Sequence, residues 1–238
     1  ALHAFETVRP GSALVRRWSG RETRYPLAGD PDCEAFQRLT PLGNRAEDFG
    51  VALLAIDAGV ELPDQAAYDR FFAAQKPAWL QQYHRAFYAG RRQLRATSMD
   101  RWIALHRPYQ PFLDLLRRRA REVRLVLATA KDGDSVALLL RAYGVGDLVP
   151  RHAIFDKETG TAKTAHLEAI SARLGVPYPE ITFVDDKLNH LRRVAPLGVR
   201  CVLAGWGHNT DREHVAARHA GFAVATLENA EGVLFDGV

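Results

Sequence analysis

The chain has 238 residues, 47% of them apolar, and a net charge of +4, which suits one large domain or a core domain carrying a smaller one. That charge is too mild to point to a nucleic-acid or membrane partner, and there is neither a run of about eighteen apolar residues nor a charged-then-apolar leader. Cys33 and Cys201 are the only cysteines, which excludes a disulfide framework or a zinc site and makes a reducing cytoplasm the expected setting.

Residues 1–43 carry Arg, Gly and Pro with little periodicity, and only a short helix at the start is expected there. From Asn44 the pattern is helical. Asn44 with Glu47 three positions on makes a capping box, and Phe49, Ala52, Leu53 and Ile56 fall on one face before Gly59. A second helix is expected around Trp79, Leu80, Tyr83 and Phe87. Residues 44–106 therefore read as a small helical module, and Pro108 and Pro111 mark the return to a second domain over 107–238.

That second domain alternates strand and helix. Residues 123–129 read as a strand, after which Val136, Leu139, Leu140 and Tyr143 recur at helical spacing until Gly144. Leu167, Ile170 and Leu174 form the next apolar helix face, stopped by Gly175, and a strand follows over 181–185. A helix presenting Leu188, Leu191 and Ala195, a strand at 199–204, a helix near 211–219 and a weak strand at 222–224 complete the series. Strands separated by single helices imply parallel pairing, hence an α/β fold with a doubly wound parallel sheet.

The apolar run at 181–184 ends abruptly in two adjacent carboxylates, Asp185 and Asp186. A buried strand that delivers paired charge to the carboxyl edge of a sheet is placed where α/β proteins bind ligands. Side by side the two acids repel, and Mg²⁺ with its preference for oxygen is the natural counter-charge. Thr129 closes another strand, and Lys163 sits in the first turn of the helix before the acid pair. Parallel topology brings all of these to one edge, where a hydroxyl, an ammonium, backbone N–H groups and a metal-binding acid pair make a receptor for a phosphoryl group.

In this order and spacing, Thr129 in the run 127–132, Lys163 in 160–164, and Asp185 with Asp186 after Phe183 and Val184 resemble three motifs of the haloacid dehalogenase-like superfamily. The resemblance covers about residues 123–207, and the helical module looks like that family's first type of cap domain. It implies a Mg²⁺-dependent phosphatase acting on a small phosphorylated metabolite through an aspartyl-phosphate. It further implies substrate contacts at Thr129, Ala130 and Lys163, catalytic roles for Thr129, Lys163 and Asp185, and metal ligation by Asp185 and Asp186. The cap would close over the site and exclude water.

The family's first motif, an apolar strand ending in Asp-x-Asp that carries the nucleophile, is not found. Asp30 and Asp32 have the spacing but flank Pro31, which suits a turn. Asp57 follows an apolar stretch that is better read as helix and lacks the second acid. Asp132 and Asp134 naturally start a helix, and Asp236 mimics half a motif near the C-terminus. The nucleophile strand is therefore expected upstream of Ala1. Two rivals follow: a catalytically silent phosphate-binding or scaffold protein, and a dehalogenase, against which the acid pair argues because carbon–halogen displacement has no phosphate charge to balance.

Other polar groups read more simply. His190, on the helix after the acid pair, is expected at the surface or in packing, and the loop 205–209, with His208, borders the site. Asn44 and Arg45 stand at the start of the cap, within reach of a substrate. Arg117, Arg118, Arg119 and Arg121, like Arg91, Arg92 and Arg95, are expected on solvated helix faces.

Overall fold

A computed structural model describes residues 1–18, 29–43, 45–160 and 162–236. The chain divides into two compact units, Ala1–Trp102 and Ile103–Val238.

The first unit contains α1 (Leu2–Val8), α2 (Ala13–Trp18), α3 (Pro31–Leu39), α4 (Ala46–Ala58), α5 (Gln65–Ala73) and α6 (Pro77–Thr97). Helix α4 is its hub. Gly50, Val51, Ala52, Leu53 and Ala55 are all buried, a wider band than the single face that the spacing of Phe49, Ala52, Leu53 and Ile56 suggests. The reason is that α4 is covered twice, by a cluster with Leu39, Leu42 and Tyr68 and by another with Phe5, Leu14 and Tyr83. On α6, Trp79, Tyr83 and Phe87 recur every fourth residue and stack, with ring centroids 5.8 and 6.2 Å apart. Gly50 admits this stack, because a Cβ there would sit 2.7 Å from the Tyr83 ring.

The start of α4 corrects the expected cap. Its first helical residue is Ala46, so the third is Asp48, whose Oδ2 accepts the Arg45 N–H at 2.8 Å. Glu47 instead lies 2.9 Å from His84 Nδ1, and Asn44 falls outside the described residues. Asp48 also accepts the Tyr68 hydroxyl at 2.9 Å. The acids with nucleophile-like spacing in this unit serve its helices. Asp30 caps α3 by accepting the N–H groups of Asp32 and Cys33, each at 3.0 Å. Asp32 accepts from Arg17 and the Trp18 indole. Asp57, within α4, accepts the Leu14 N–H at 2.8 Å and Arg9 Nε at 2.9 Å.

After α7 (Met99–Ala104), the second unit runs α8 (Gln110–Arg119), β1 (Leu127–Ala128), α9 (Gly133–Ala142), β2 (Ile154–Phe155), α10 (Lys163–Leu174), β3 (Thr182–Asp185), α11 (Leu188–Val194), β4 (Arg200–Ala204), α12 (Asp211–His219), β5 (Ala223–Ala225) and α13 (Ala230–Phe235). Every strand pair is parallel. In place of one doubly wound sheet, however, the described residues form two: β1 with β2, and β3–β4–β5 in that order. One apolar cluster nevertheless draws on both, joining Phe155 and the partly buried Val126 and Ala128 to Phe183, Leu191 and Leu203.

In β4, paired on both edges, Cys201, Val202, Leu203 and Ala204 are buried. The apolar run 123–129 is laddered only at Leu127 and Ala128, neither of them buried, and Val123 is 41% exposed. Among the described residues β1 and β3 each pair on one edge only, as do β5 and β2, whose Ile154 and Phe155 are nevertheless buried. The remaining acids with motif-like spacing are placed by helices here too. Asp132 caps α9 through the Ser135 N–H at 2.8 Å, while Asp236 follows α13 and no strand.

His166 on α10 is fully buried and lies with Nε2 3.0 Å from the Asp156 carbonyl oxygen. That bond places the proton on Nε2 and leaves Nδ1 without a partner. Burial holds the imidazole below its ordinary value of 6.5, with Lys163 acting in the same sense against the hydrogen bond to Asp156. The unfolded chain therefore takes up this proton first, so its contribution to stability is complete above about pH 6.5 and declines as the pH falls below it. His166→Phe is expected to flatten that part of the stability profile. Urea unfolding of both proteins at several pH values checks this; parallel profiles count against it.

Candidate active site

The second unit gathers the expected residues at the carboxyl ends of β1 and β3. Thr129 donates its N–H to the Phe155 carbonyl at 2.9 Å, extending the β1–β2 pairing by one residue. Its Oγ1 accepts the Lys131 N–H at 3.1 Å, which closes a tight turn around the exposed Ala130. Because successive residues of a strand point their backbone groups to opposite edges, the Ala128 carbonyl faces away from β2. It is taken by the Lys163 ammonium at 2.6 Å.

The same ammonium lies 3.6 Å from Asp185 Oδ2, and both side chains are only 11% exposed. Lys163 thus ties the end of β1 to the end of β3. Asp185 Oδ1 accepts the Lys187 N–H at 2.8 Å and lies 3.0 Å from His190 Nδ1. Burial alone would raise the Asp185 carboxyl, but the hydrogen bond and charge of His190, the charge of Lys163 and the Lys187 N–H outweigh it and hold the group below the ordinary carboxylate range.

Asp186 faces elsewhere. Its Oδ2 accepts the His208 N–H at 2.8 Å, and its carbonyl accepts Asn209 Nδ2 at 3.1 Å. The structure thus brings Lys163, Asp185 and the turn at Thr129 to one edge, and turns the second carboxylate of the pair toward the loop 205–209. No family model matches the chain, and no solved structure does. Among curated proteins, an oxaloacetate decarboxylase of Pseudomonas fluorescens (strain SBW25) is 48% identical over 48 residues, which are 20% of this chain and 17% of that protein. So short a shared stretch carries no argument about the site.

His190, expected at the surface or in packing, has a role that spacing alone does not show. It is buried, and it orients Asp185 from five positions along the chain. Asp156, directly after β2, was not singled out by the pattern either. It is buried and accepts the Gly133 and Glu158 N–H groups at 3.0 Å each and Arg151 Nη2 at 3.2 Å, fixing the start of α9. The signal for it was an Ile-Phe pair ending in an acid, too short to register as a strand.

Mg²⁺ binds through one or two carboxylates and completes its shell with water and substrate oxygens. Asp185 Oδ2 is an oxygen of the required kind at the required edge. Among the described residues no three His, Cys, Asp or Glu side chains converge to hold a metal. Asp185 Oδ2, and Asp186 through the carboxylate oxygen not given to the His208 N–H, are the donors this edge offers such an ion. Among the described residues, no helix is long and apolar enough to cross a membrane.

Proposed function

We propose that the protein is a Mg²⁺-dependent phosphatase of the haloacid dehalogenase-like kind, acting in the cytoplasm on a small phosphorylated metabolite. Its nucleophilic aspartate is carried on a further strand between β1 and β3. The observation that carries this reading is the split sheet. β1 and β3 each leave one edge unpaired among the described residues, share one apolar cluster, and are tied at their carboxyl ends by Lys163. A parallel strand in that place, ending in a carboxylate, would deliver the group beside Lys163, Asp185 and the turn at Thr129.

In this reading a carboxylate oxygen attacks phosphorus, the bond to the alcohol oxygen breaks, and that oxygen takes up a proton. Water then splits the acyl phosphate to phosphate and free carboxylate. Lys163 neutralises the transferred group, while the Thr129 hydroxyl and the N–H groups of the following turn bind its oxygens. Asp185 would hold Mg²⁺, which supplies charge neutralisation at the phosphoryl oxygens. Against its burial, the N–H donors of His190 and Lys187 and the charge of Lys163 keep Asp185 oriented and ionised for that duty.

A phosphate-binding protein without turnover is the second reading. It is favoured by one observation: Asp30, Asp57 and Asp132, the acids with nucleophile-like settings, all accept helix backbone N–H groups. The full-length protein incubated with p-nitrophenyl phosphate separates the two. Phosphate release that requires Mg²⁺, with a phosphoprotein labile to hydroxylamine, is the expected result. No release, with inorganic phosphate still raising the unfolding midpoint, would replace the phosphatase by the binding protein.

A further inference from the structure

We propose that Asp156 is a positioning residue for phosphoryl binding, its carboxylate setting the turn that presents the Thr129 hydroxyl and Ala130. This rests on the phosphatase reading for what the turn binds, and adds to it a side chain outside the three motifs. Two consecutive residues at the end of β2 grip the turn at its two ends. The Phe155 carbonyl accepts the Thr129 N–H at 2.9 Å, and Asp156 Oδ2 accepts the Gly133 N–H at 3.0 Å. Between these anchors lie the exposed Ala130 and the Lys131 N–H that Thr129 Oγ1 accepts.

Helix α9 does not need Asp156 in order to start, because Asp132 already caps it through the Ser135 N–H. What the second acid fixes is where that start sits. Gly133 is the first residue of α9, so its N–H has no acceptor inside the helix, and the buried carboxylate supplies one by a charge-assisted bond of the stronger kind. The carboxylate is itself held from two further sides, by the Glu158 N–H at 3.0 Å and Arg151 Nη2 at 3.2 Å. The fit leaves no room, since a Cβ on Gly133 would run into Asp156 Oδ2 and the Arg151 guanidinium. The backbone of the same residue serves the other phosphoryl-binding group. Its carbonyl accepts the Thr159 N–H at 2.9 Å and lies 3.0 Å from His166 Nε2, and His166 stands three residues after Lys163 on one face of α10. Residue 156 thus sets the Thr129 turn through its carboxylate and the first turn of α10 through its carbonyl, and only the first of these depends on its side chain.

That division gives the test its internal control. Asp156→Ala removes the acceptor of the Gly133 N–H and leaves the carbonyl that His166 uses, whereas Asp156→Asn keeps an oxygen for Gly133. Three signals are read on the full-length protein: the backbone amide resonances of residues 129–133, the ring resonances of His166, and kcat/KM for p-nitrophenyl phosphate with Mg²⁺. Asp156→Ala is expected to shift the Gly133 amide upfield, move those of Thr129 and Ala130, leave the His166 ring in place and lower kcat/KM by about 10²-fold, the loss that a small misplacement of binding groups brings. Asp156→Asn should restore most of the amide pattern and of the rate. Gly133→Ala, which crowds the carboxylate while keeping it, should reproduce the loss, and it carries the test if Asp156→Ala does not fold. Turnover near that of the parent protein in both Asp156→Ala and Gly133→Ala overturns the proposal, as does an Asp156→Asn protein as slow as Asp156→Ala. A His166 ring that moves as far as the Gly133 amide also overturns it, because the end of β2 would then have given way as a whole. A parent protein that releases no phosphate ends the phosphatase reading by itself, and the amides of residues 129–133 in the variants still decide whether Asp156 sets the turn.

Discussion

Asp185→Asn is expected to slow Mg²⁺-dependent phosphate release by about 10²–10³-fold, the loss typical of removing one preorganised charge from a reacting centre, while the protein stays folded. The two halves of this expectation come from opposite sides of one side chain. Asp185 Oδ1 carries the local structure, accepting the Lys187 N–H and facing His190 Nδ1. An amide oxygen in the same place accepts both donors, so the turn into α11 persists at a cost of about 1–3 kcal/mol. What the amide does not replace is the negative charge 3.6 Å from Lys163, in a setting only 11% exposed where charge is weakly screened. Initial rates at saturating Mg²⁺, with urea unfolding of the same preparation, check both halves. Turnover near that of the parent protein would remove Asp185 from the site.

The second large effect concerns stability in the first unit. Tyr83→Ala is expected to lower the unfolding free energy by about 3–5 kcal/mol, the range for deleting a buried aromatic ring. Tyr83 is fully buried, stacks between Trp79 and Phe87, and donates its hydroxyl to the Ala1 carbonyl at 3.1 Å. Gly50 opposite the ring has no side chain with which to fill the space, so the cavity would persist. Tyr83→Phe separates ring from hydroxyl and should cost only about 1 kcal/mol. Equilibrium urea unfolding of the two variants supplies the comparison, and an Ala variant no worse than the Phe variant would contradict the stacking account.

Elements with sustained periodicity and a glycine stop were legible before any coordinates. The helices that became α6, α9, α10 and α12 lie where their apolar spacing puts them, and Gly144 and Gly175, both at positive φ, end α9 and α10. The short helix expected at the start is α1, whereas α2 and α3 were hidden for a physical reason: they bury only Leu14 and Val15, and Leu39, too few positions to show a period. The cap of α4 was displaced by one residue, because an acid at either position 47 or 48 satisfies the same spacing rule and only the true first turn selects Asp48. In the site, residue types at strand ends were readable, but their directions were not. Asp185 and Asp186 are adjacent and chemically identical, and what separates them is an N–H at residue 208, supplied by a loop that follows the next strand. The contact of His190 with Asp185 was not legible because a strand, a turn and the first coil of α11 had to fold before the two met.

The one-sided pairing of β1 and β3 among the described residues bears on how the protein behaves in concentrated solution. A row of peptide groups without a partner recruits strands from other molecules, and natural sheets blunt such rows with charge, proline or a covering element. On β1 the Lys163 ammonium occupies one carbonyl, while the run before it is apolar and Val123 stands 41% exposed. Preparations in which these rows remain open should self-associate edge to edge, so colloidal behaviour would report on the completeness of the sheet before any substrate is known.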